Sequence, residues 1–201
     1  MTSPATLGAD DLRAVMGGYR DALRLHQADI NRLNVYPVPD GDTGTNMALT
    51  LEAVVSELAE VEAGAGLPEV CKAIGHGSLM GARGNSGVIL SQLLRGMSER
   101  MAAAGDGGVG PEVLVDAIGH ASELARRAVV RPVEGTILTV ASAAASGAAH
   151  AGAGTSRLDF AAIFPRRGCY DIGRRPHGLR DLSGCPHLRS RSTMEDRKSV
   201  V

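Results

Sequence analysis

The chain has 201 residues, 44% of them apolar but only 2% aromatic, and a formal net charge of −1. That length suits one domain with a tail, and the composition calls for a core of Ala, Leu, Val, Ile and Met packed at close helix–helix range. Cys71, Cys169 and Cys185 form no CxxC pair, so neither a disulfide framework nor a thiolate zinc site is supported.

No basic-plus-apolar leader and no apolar run of membrane length is present, so we expect a soluble, cytoplasmic protein. The near-zero charge hides an asymmetry. Residues 1–154 carry 11 basic and 17 acidic residues, whereas residues 155–201 carry 10 and 5. A basic tail can signal nucleic acid or membrane, but no motif for either accompanies it.

In chain order, residues 10–33 predict an amphipathic helix with Leu12, Val15, Tyr19, Leu23 and Ile30 inward. Pro37 and Pro39 then enforce extended chain, followed by a tight polar turn at residues 40–44. A second helix is expected from Thr45 to about Glu62, with Leu49, Val54, Leu58 and Val61 buried. Pro68 opens a third, closing near Met80. Residues 81–87 form a glycine-rich loop, with a fourth helix from about Ser86 that buries Val88, Leu90, Leu93, Leu94 and Met97. Residues 102–110 read as a flexible linker. A fifth helix runs from Pro111 to about Val130, and a sixth from Thr136 toward His150. No strand-like alternation appears, so the fold class is all-α, a helical bundle. Beyond residue 154 no helical period survives.

Three segments could carry chemistry. Asp40 and Asp42, separated by one glycine, can converge on a hard cation such as Mg²⁺, which takes one or two carboxylates plus phosphate and water oxygens. The same triplet also suits an ordinary turn. Thr43 and Asn46 follow at a helix start, where free N–H groups attract phosphate. The loop from Gly81 to Gly87 reads either as a phosphate cradle or as a plain helix start with Ser86 as its cap. Arg83 within it could neutralise phosphate. Residues 131–136 form an interhelical turn with Thr136 near the cap. His26, His76, His120 and His150 have no carboxylate or nucleophile at useful spacing and read as structural or solvated.

Asn34-Val35-Tyr36-Pro37-Val38-Pro39-Asp40-Gly41-Asp42-Thr43-Gly44-Thr45-Asn46-Met47 and the run from Gly81 to Gln92 resemble the nucleotide-binding (DhaL) domain of the dihydroxyacetone kinase L subunit. The wording is nearest the N-terminal ATP-binding domain of bacterial fatty acid kinases, which share the run at Arg131–Val140. The resemblance covers about residues 8–153. It implies an antiparallel bundle of eight helices, of which about six are recognisable here, with ATP and Mg²⁺ at one end. By resemblance Asp40 and Asp42 are metal ligands. Asn34 stands where dihydroxyacetone kinase has a third Asp. Thr43, Gly44, Thr45, Asn46, Asn85 and Ser86 contact phosphates, and Ile137 packs on adenine. The implied activity is transfer of the ATP γ-phosphate to an acceptor, a fatty acid or dihydroxyacetone (glycerone), presented by a partner protein. No side chain of this domain is assigned a covalent catalytic role, and a homodimer is compatible with the pattern. A non-catalytic nucleotide-binding regulator and an inactive fragment are the other readings.

We take residues 8–154 as the domain and 155–201 as an aberrant basic tail, out of frame or disordered. The family's closing helix pair and its Asp-x-Gly-Gly-type segment are not found there, and Asp196–Val201 resembles translated adapter sequence. The expectation is therefore a C-terminally truncated domain with poor or no activity of its own.

Overall fold

The computed structural model describes residues 6–35 and 39–152. These all belong to the first of the chain's two units, Met1–Phe164. The expectations for residues 155–201 lie outside the described residues.

Among the described residues the fold is all-α. Six helices follow one another: α1 (Ala9–Leu33), α2 (Thr43–Glu60), α3 (Leu67–Met80), α4 (Gly84–Ala102), α5 (Pro111–Arg127) and α6 (Ile137–Gly152), with one 3-10 turn at Gly105–Gly107. Each helix packs on the next, and α4 also reaches α2. Connections this short make consecutive helices antiparallel. The heads of α2, α4 and α6 therefore share one end of the bundle with the tails of α1, α3 and α5.

Local chemistry accounts for the helix ends. Asp11 accepts a 2.8 Å hydrogen bond from the Gly8 N–H, closing the start of α1. Prolines stand in the first turns of α3 and α5, where a missing N–H costs nothing. At the tail of α2, Arg13 reaches across from α1 and donates to the carbonyls of Leu58 (2.6 Å), Val61 (3.5 Å) and Glu62 (3.1 Å). A cation is favoured there by the helix dipole.

The buried stripes depart from the expected ones by a residue here and there. In α1 the core side chains are Leu12, Met16 and Leu23, with Tyr19 and Ile30 half-buried, while Val15 is exposed. Val15 and Met16 both fit the 3.6-residue period of Leu12, Tyr19 and Leu23, and packing against the neighbouring helices selects Met16. Leu49 and Val88 are likewise exposed, and Met47, Ala48, Leu51 and Leu90 take the interior. The fifth helix ends at Arg127, three residues before its expected stop.

Residues 102–110 are not a free linker. Val109 is fully buried and exchanges two backbone hydrogen bonds with Leu7, at 3.0 and 2.8 Å. That isolated antiparallel bridge ties the chain before α1 to the chain before α5.

The core is built from Leu51, Val54, Val70, Ile74, Leu90, Met101 and small residues such as Ala117, Ala121 and Ala125. Its helices meet closely. A Cβ on Gly96 of α4 would lie 2.7 Å from the Ala121 Cα of α5, so only glycine allows that approach. Cys71 is buried in the same core, and burial pushes its thiol up to about 11.

Two outcomes follow. Arg13→Ala removes the clamp on the α2 tail and is expected to cost about 1–2 kcal/mol in urea unfolding, the scale of charged hydrogen bonds to backbone. Cys71, protonated and enclosed, is expected to resist iodoacetamide at pH 8 in the native chain and to react once the chain is unfolded, as read by peptide mass mapping.

Candidate functional site

The site end of the bundle is assembled on the first turn of α2. Asp42 is its N-cap residue, and its carbonyl accepts from the Asn46 N–H at 2.8 Å, but its carboxylate makes no capping hydrogen bond. The capping work is done from α1. Asn31 Oδ1 accepts from the Gly44 N–H at 2.7 Å and the Thr45 N–H at 3.2 Å, while Asn31 Nδ2 donates to Thr45 Oγ1 at 3.0 Å. Gln27, one turn earlier on α1, donates to the same hydroxyl at 2.9 Å. Asp42 is thereby left with a carboxylate that no helix end consumes.

The loop before it is drawn in from the other side. Asn34 lies just past α1, and its Nδ2 donates to Asp40 Oδ1. That bond orients the carboxylate and leaves Asn34 Oδ1 as a neutral oxygen. Asp40 is exposed, and Asp42 and Asn34 are half-exposed. Among the described residues no group of three His, Cys, Asp or Glu side chains could hold a metal. Two carboxylates and a neutral oxygen are nonetheless a donor set that suits Mg²⁺, which completes its shell with phosphate and water.

The second half comes from the head of α4. This helix begins at Gly84, two residues before its expected start, so Ser86 is not its cap. Arg83 is the N-cap residue, in extended conformation and without a side-chain cap. Ser86 Oγ instead donates to Thr43 Oγ1 at 3.3 Å, joining the head of α4 to the head of α2. Gly84 sits at φ 56, and a Cβ there would meet the Asn46 side-chain nitrogen at 2.3 Å. Arg83 is exposed, and its guanidinium donates to the Ala82 carbonyl at 3.4 Å. Asn85 is exposed on the first turn of α4.

One buried hydroxyl joins the halves from behind. Thr50 is fully buried; its Oγ1 donates to the Asn46 carbonyl at 2.7 Å and accepts from the Arg83 N–H at 3.2 Å. Ile137 opens α6, half-buried against the core. Thr136 caps that helix, its Oγ1 accepting from the Leu138 N–H at 3.3 Å.

The structure thus brings Asn34 to Asp40, Thr43 to Ser86, and Asn46 to the Gly84 turn. It also shows partners that the motifs did not name: Gln27, Asn31 and Thr50. Gln27 and Asn31 stand four apart and continue the inward face of α1 with polar side chains. A polar residue on a core-facing position is the signal that could have found them. The histidines differ from expectation. His76 lies 2.9 Å from Glu57 and His120 3.1 Å from Glu99, so carboxylate partners exist across α2–α3 and α4–α5. Spacing along the chain could not reveal either pair.

Thr50→Val keeps the shape and removes both hydrogen bonds. It is expected to destabilise the chain by about 1–3 kcal/mol in urea unfolding, because the Arg83 N–H loses its acceptor in a part-buried setting.

Comparison with known proteins bears on this arrangement. The model of the DAK2 domain matches residues 37–164, a span that includes the Asp40–Asn46 segment, the Gly81–Gly87 loop and the Arg131–Val140 run. Uncharacterized proteins of Staphylococcus aureus strains USA300, NCTC 8325 / PS 47 and N315 are each 48% identical to the chain over 119 residues. That stretch is 59% of this chain and 21% of each relative, so the match spans about a fifth of the length of these relatives. No helix among the described residues is long and apolar enough to cross a membrane. With the family match covering well over half its length, this chain belongs to the DAK2 domain family, whose members are kinase-related, nucleotide-binding modules.

Proposed function

We propose that the chain is the ATP- and Mg²⁺-binding domain of a kinase that transfers the ATP γ-phosphate to an acceptor held by a separate protein. The observation that carries this reading is the joining of two polar helix heads, Ser86 Oγ to Thr43 Oγ1, beside an Asp42 carboxylate left out of helix capping. The family match supports a nucleotide there.

In this reading Asp40 and Asp42 hold Mg²⁺, with Asn34 Oδ1 as a third, neutral donor. A bound Mg²⁺ would supply charge neutralisation across the phosphates. The chain's own residues do the positioning. Asn34 turns the Asp40 carboxylate. Phosphate oxygens meet the Thr43–Asn46 segment, and they meet the first turn of α4, where the Asn85 and Ser86 N–H groups have no intrahelical acceptor. Ile137, at the head of α6, offers an apolar surface for the adenine. No described side chain takes a covalent role. That fits phosphoryl transfer, which relies on alignment and electrostatics more than on protein nucleophiles.

The acceptor is a fatty acid carboxylate or the hydroxyl of dihydroxyacetone, and the wording of Arg131–Val140 favours the fatty acid. A partner that binds one of these would approach the site end of the bundle in the cytoplasm. Residues 8–154 carry the nucleotide-binding part.

Calorimetry on the full chain tests this. ATP is expected to bind at least about tenfold more tightly with Mg²⁺ present than without it, and Asp40→Asn with Asp42→Asn is expected to weaken the Mg²⁺-dependent binding by at least about tenfold, as loss of metal ligation does. Equal affinity with and without Mg²⁺, or an unaffected double variant, would rule out the metal assignment. Binding without transfer of ³²P to any added acyl or dihydroxyacetone carrier would favour a non-catalytic nucleotide module.

A further inference from the structure

We infer that Asn31 is a positioning residue for this site. It holds the first turn of α2 so that the Gly44 and Thr45 N–H groups are not phosphate ligands but struts that set the backbone at Asp42. The inference rests on the nucleotide reading above and narrows it.

The argument starts from what a helix head needs. Its first N–H groups lack intrahelical acceptors and take a side chain, water or an anion. In α2 the Gly44 and Thr45 N–H groups are both taken by one oxygen, Asn31 Oδ1. Asparagine is suited to this place, because its other end is a donor and reaches Thr45 Oγ1. Gln27 fills a second position on that hydroxyl. Three hydrogen bonds from one part-buried side chain leave α2 little freedom to slide along α1. Asp42 is two residues from Gly44, so its backbone is carried by the same clamp.

The head of α4 contrasts with this. Its N-cap, Arg83, offers no side-chain acceptor. Among the described residues, nothing occupies the Asn85 and Ser86 N–H groups. Of the heads of α2 and α4, that of α2 has its Gly44 and Thr45 N–H groups taken by a protein side chain, and that of α4 has no side-chain cap. An anion entering the site finds its backbone donors on α4, and α2 contributes the aspartates and hydroxyls.

The test uses the full chain with Asn31→Ala and Asn31→Asp. Each is followed by thermal unfolding and by calorimetry with the non-hydrolysable analogue AMP-PNP, with and without Mg²⁺. Asn31→Ala is expected to unfold cooperatively yet to bind Mg²⁺·AMP-PNP about 10–100-fold more weakly, the usual effect of losing a partner that orients metal ligands. Metal-free affinity should change little. Asn31→Asp keeps the acceptor and is expected to return Mg²⁺-dependent binding to within about threefold of wild type, by the same logic. A folded Asn31→Ala with wild-type Mg²⁺-dependent affinity would overturn the inference, as would an equal loss with and without the metal. Should Asn31→Ala fail to fold, amide hydrogen exchange in the wild-type chain decides. Gly44 and Thr45 amides that are protected without nucleotide, and no more so with it, support the clamp. Amides that exchange freely until Mg²⁺·AMP-PNP is added overturn it. A wild-type chain that binds no Mg²⁺·AMP-PNP sinks the nucleotide reading itself, and Asn31's role with it.

Discussion

Thr50 Oγ1 lies between two segments that the chain order keeps more than thirty residues apart. It donates to the Asn46 carbonyl on α2 and accepts from the Arg83 N–H at the turn into α4. The hydroxyl is fully buried, so water cannot substitute for either partner, and both bonds must be made within the protein. Everything at the site end hangs on that register. The contact of Ser86 with Thr43 and the fit of Gly84 under the Asn46 side chain require α2 and α4 to meet at one relative height. A slip of one helical residue rise, ~1.5 Å, would break all three.

The reason a hydroxyl must do this lies in the composition. With aromatics at 2% of the chain, the core has few large shapes to key one helix against another. Alanine-lined contacts, such as Gly96 on Ala121, bring backbones close but discriminate weakly between neighbouring registers, because one small side chain resembles the next. Directional polar contacts supply the missing specificity. They stand at both ends: Asn31 and Thr50 at the site end, Arg13 and the Leu7–Val109 bridge at the other. The interior of the bundle is mostly apolar and permissive, and these contacts near its ends are directional and exact in their demands.

Much of this was legible in the sequence. Helix number and order followed from period and from the prolines at residues 68 and 111, since proline states where a helix may begin whatever the tertiary context. The motif segments fell at one end of the bundle as their resemblance implies. What escaped was anything set by a partner distant along the chain. Val15, Leu49 and Val88 satisfy a three- or four-residue spacing as well as their buried neighbours do, and only packing decides among them. The linker reading of residues 102–110 failed because composition reports glycine content and not that Val109 pairs with Leu7. Ser86 was a reasonable cap by residue type; the helix started earlier because Gly84 can adopt positive φ and turn the chain at once. Glu57 and Glu99 reach their histidines across helix interfaces, which no local window contains.

The bundle's alternation also bears on charge. Among the described helices three heads and three tails share the site end, so their dipoles largely offset one another and give no strong preference for an anion. Any preference must come from heads whose N–H groups remain free. The head of α2 is closed by Asn31 and that of α6 by Thr136. The head of α4 starts at Arg83, whose side chain does not cap it. On the proposed reading the phosphates are drawn to this one head, and the cation to the carboxylates of Asp40 and Asp42 beside it. The separation between a phosphate side and a metal side is then a property of which helix starts are capped. A glycine-rich start with no Ser, Thr, Asn or Asp at the N-cap gives up some helix stability, and the unfilled donors it leaves are what a nucleotide can use.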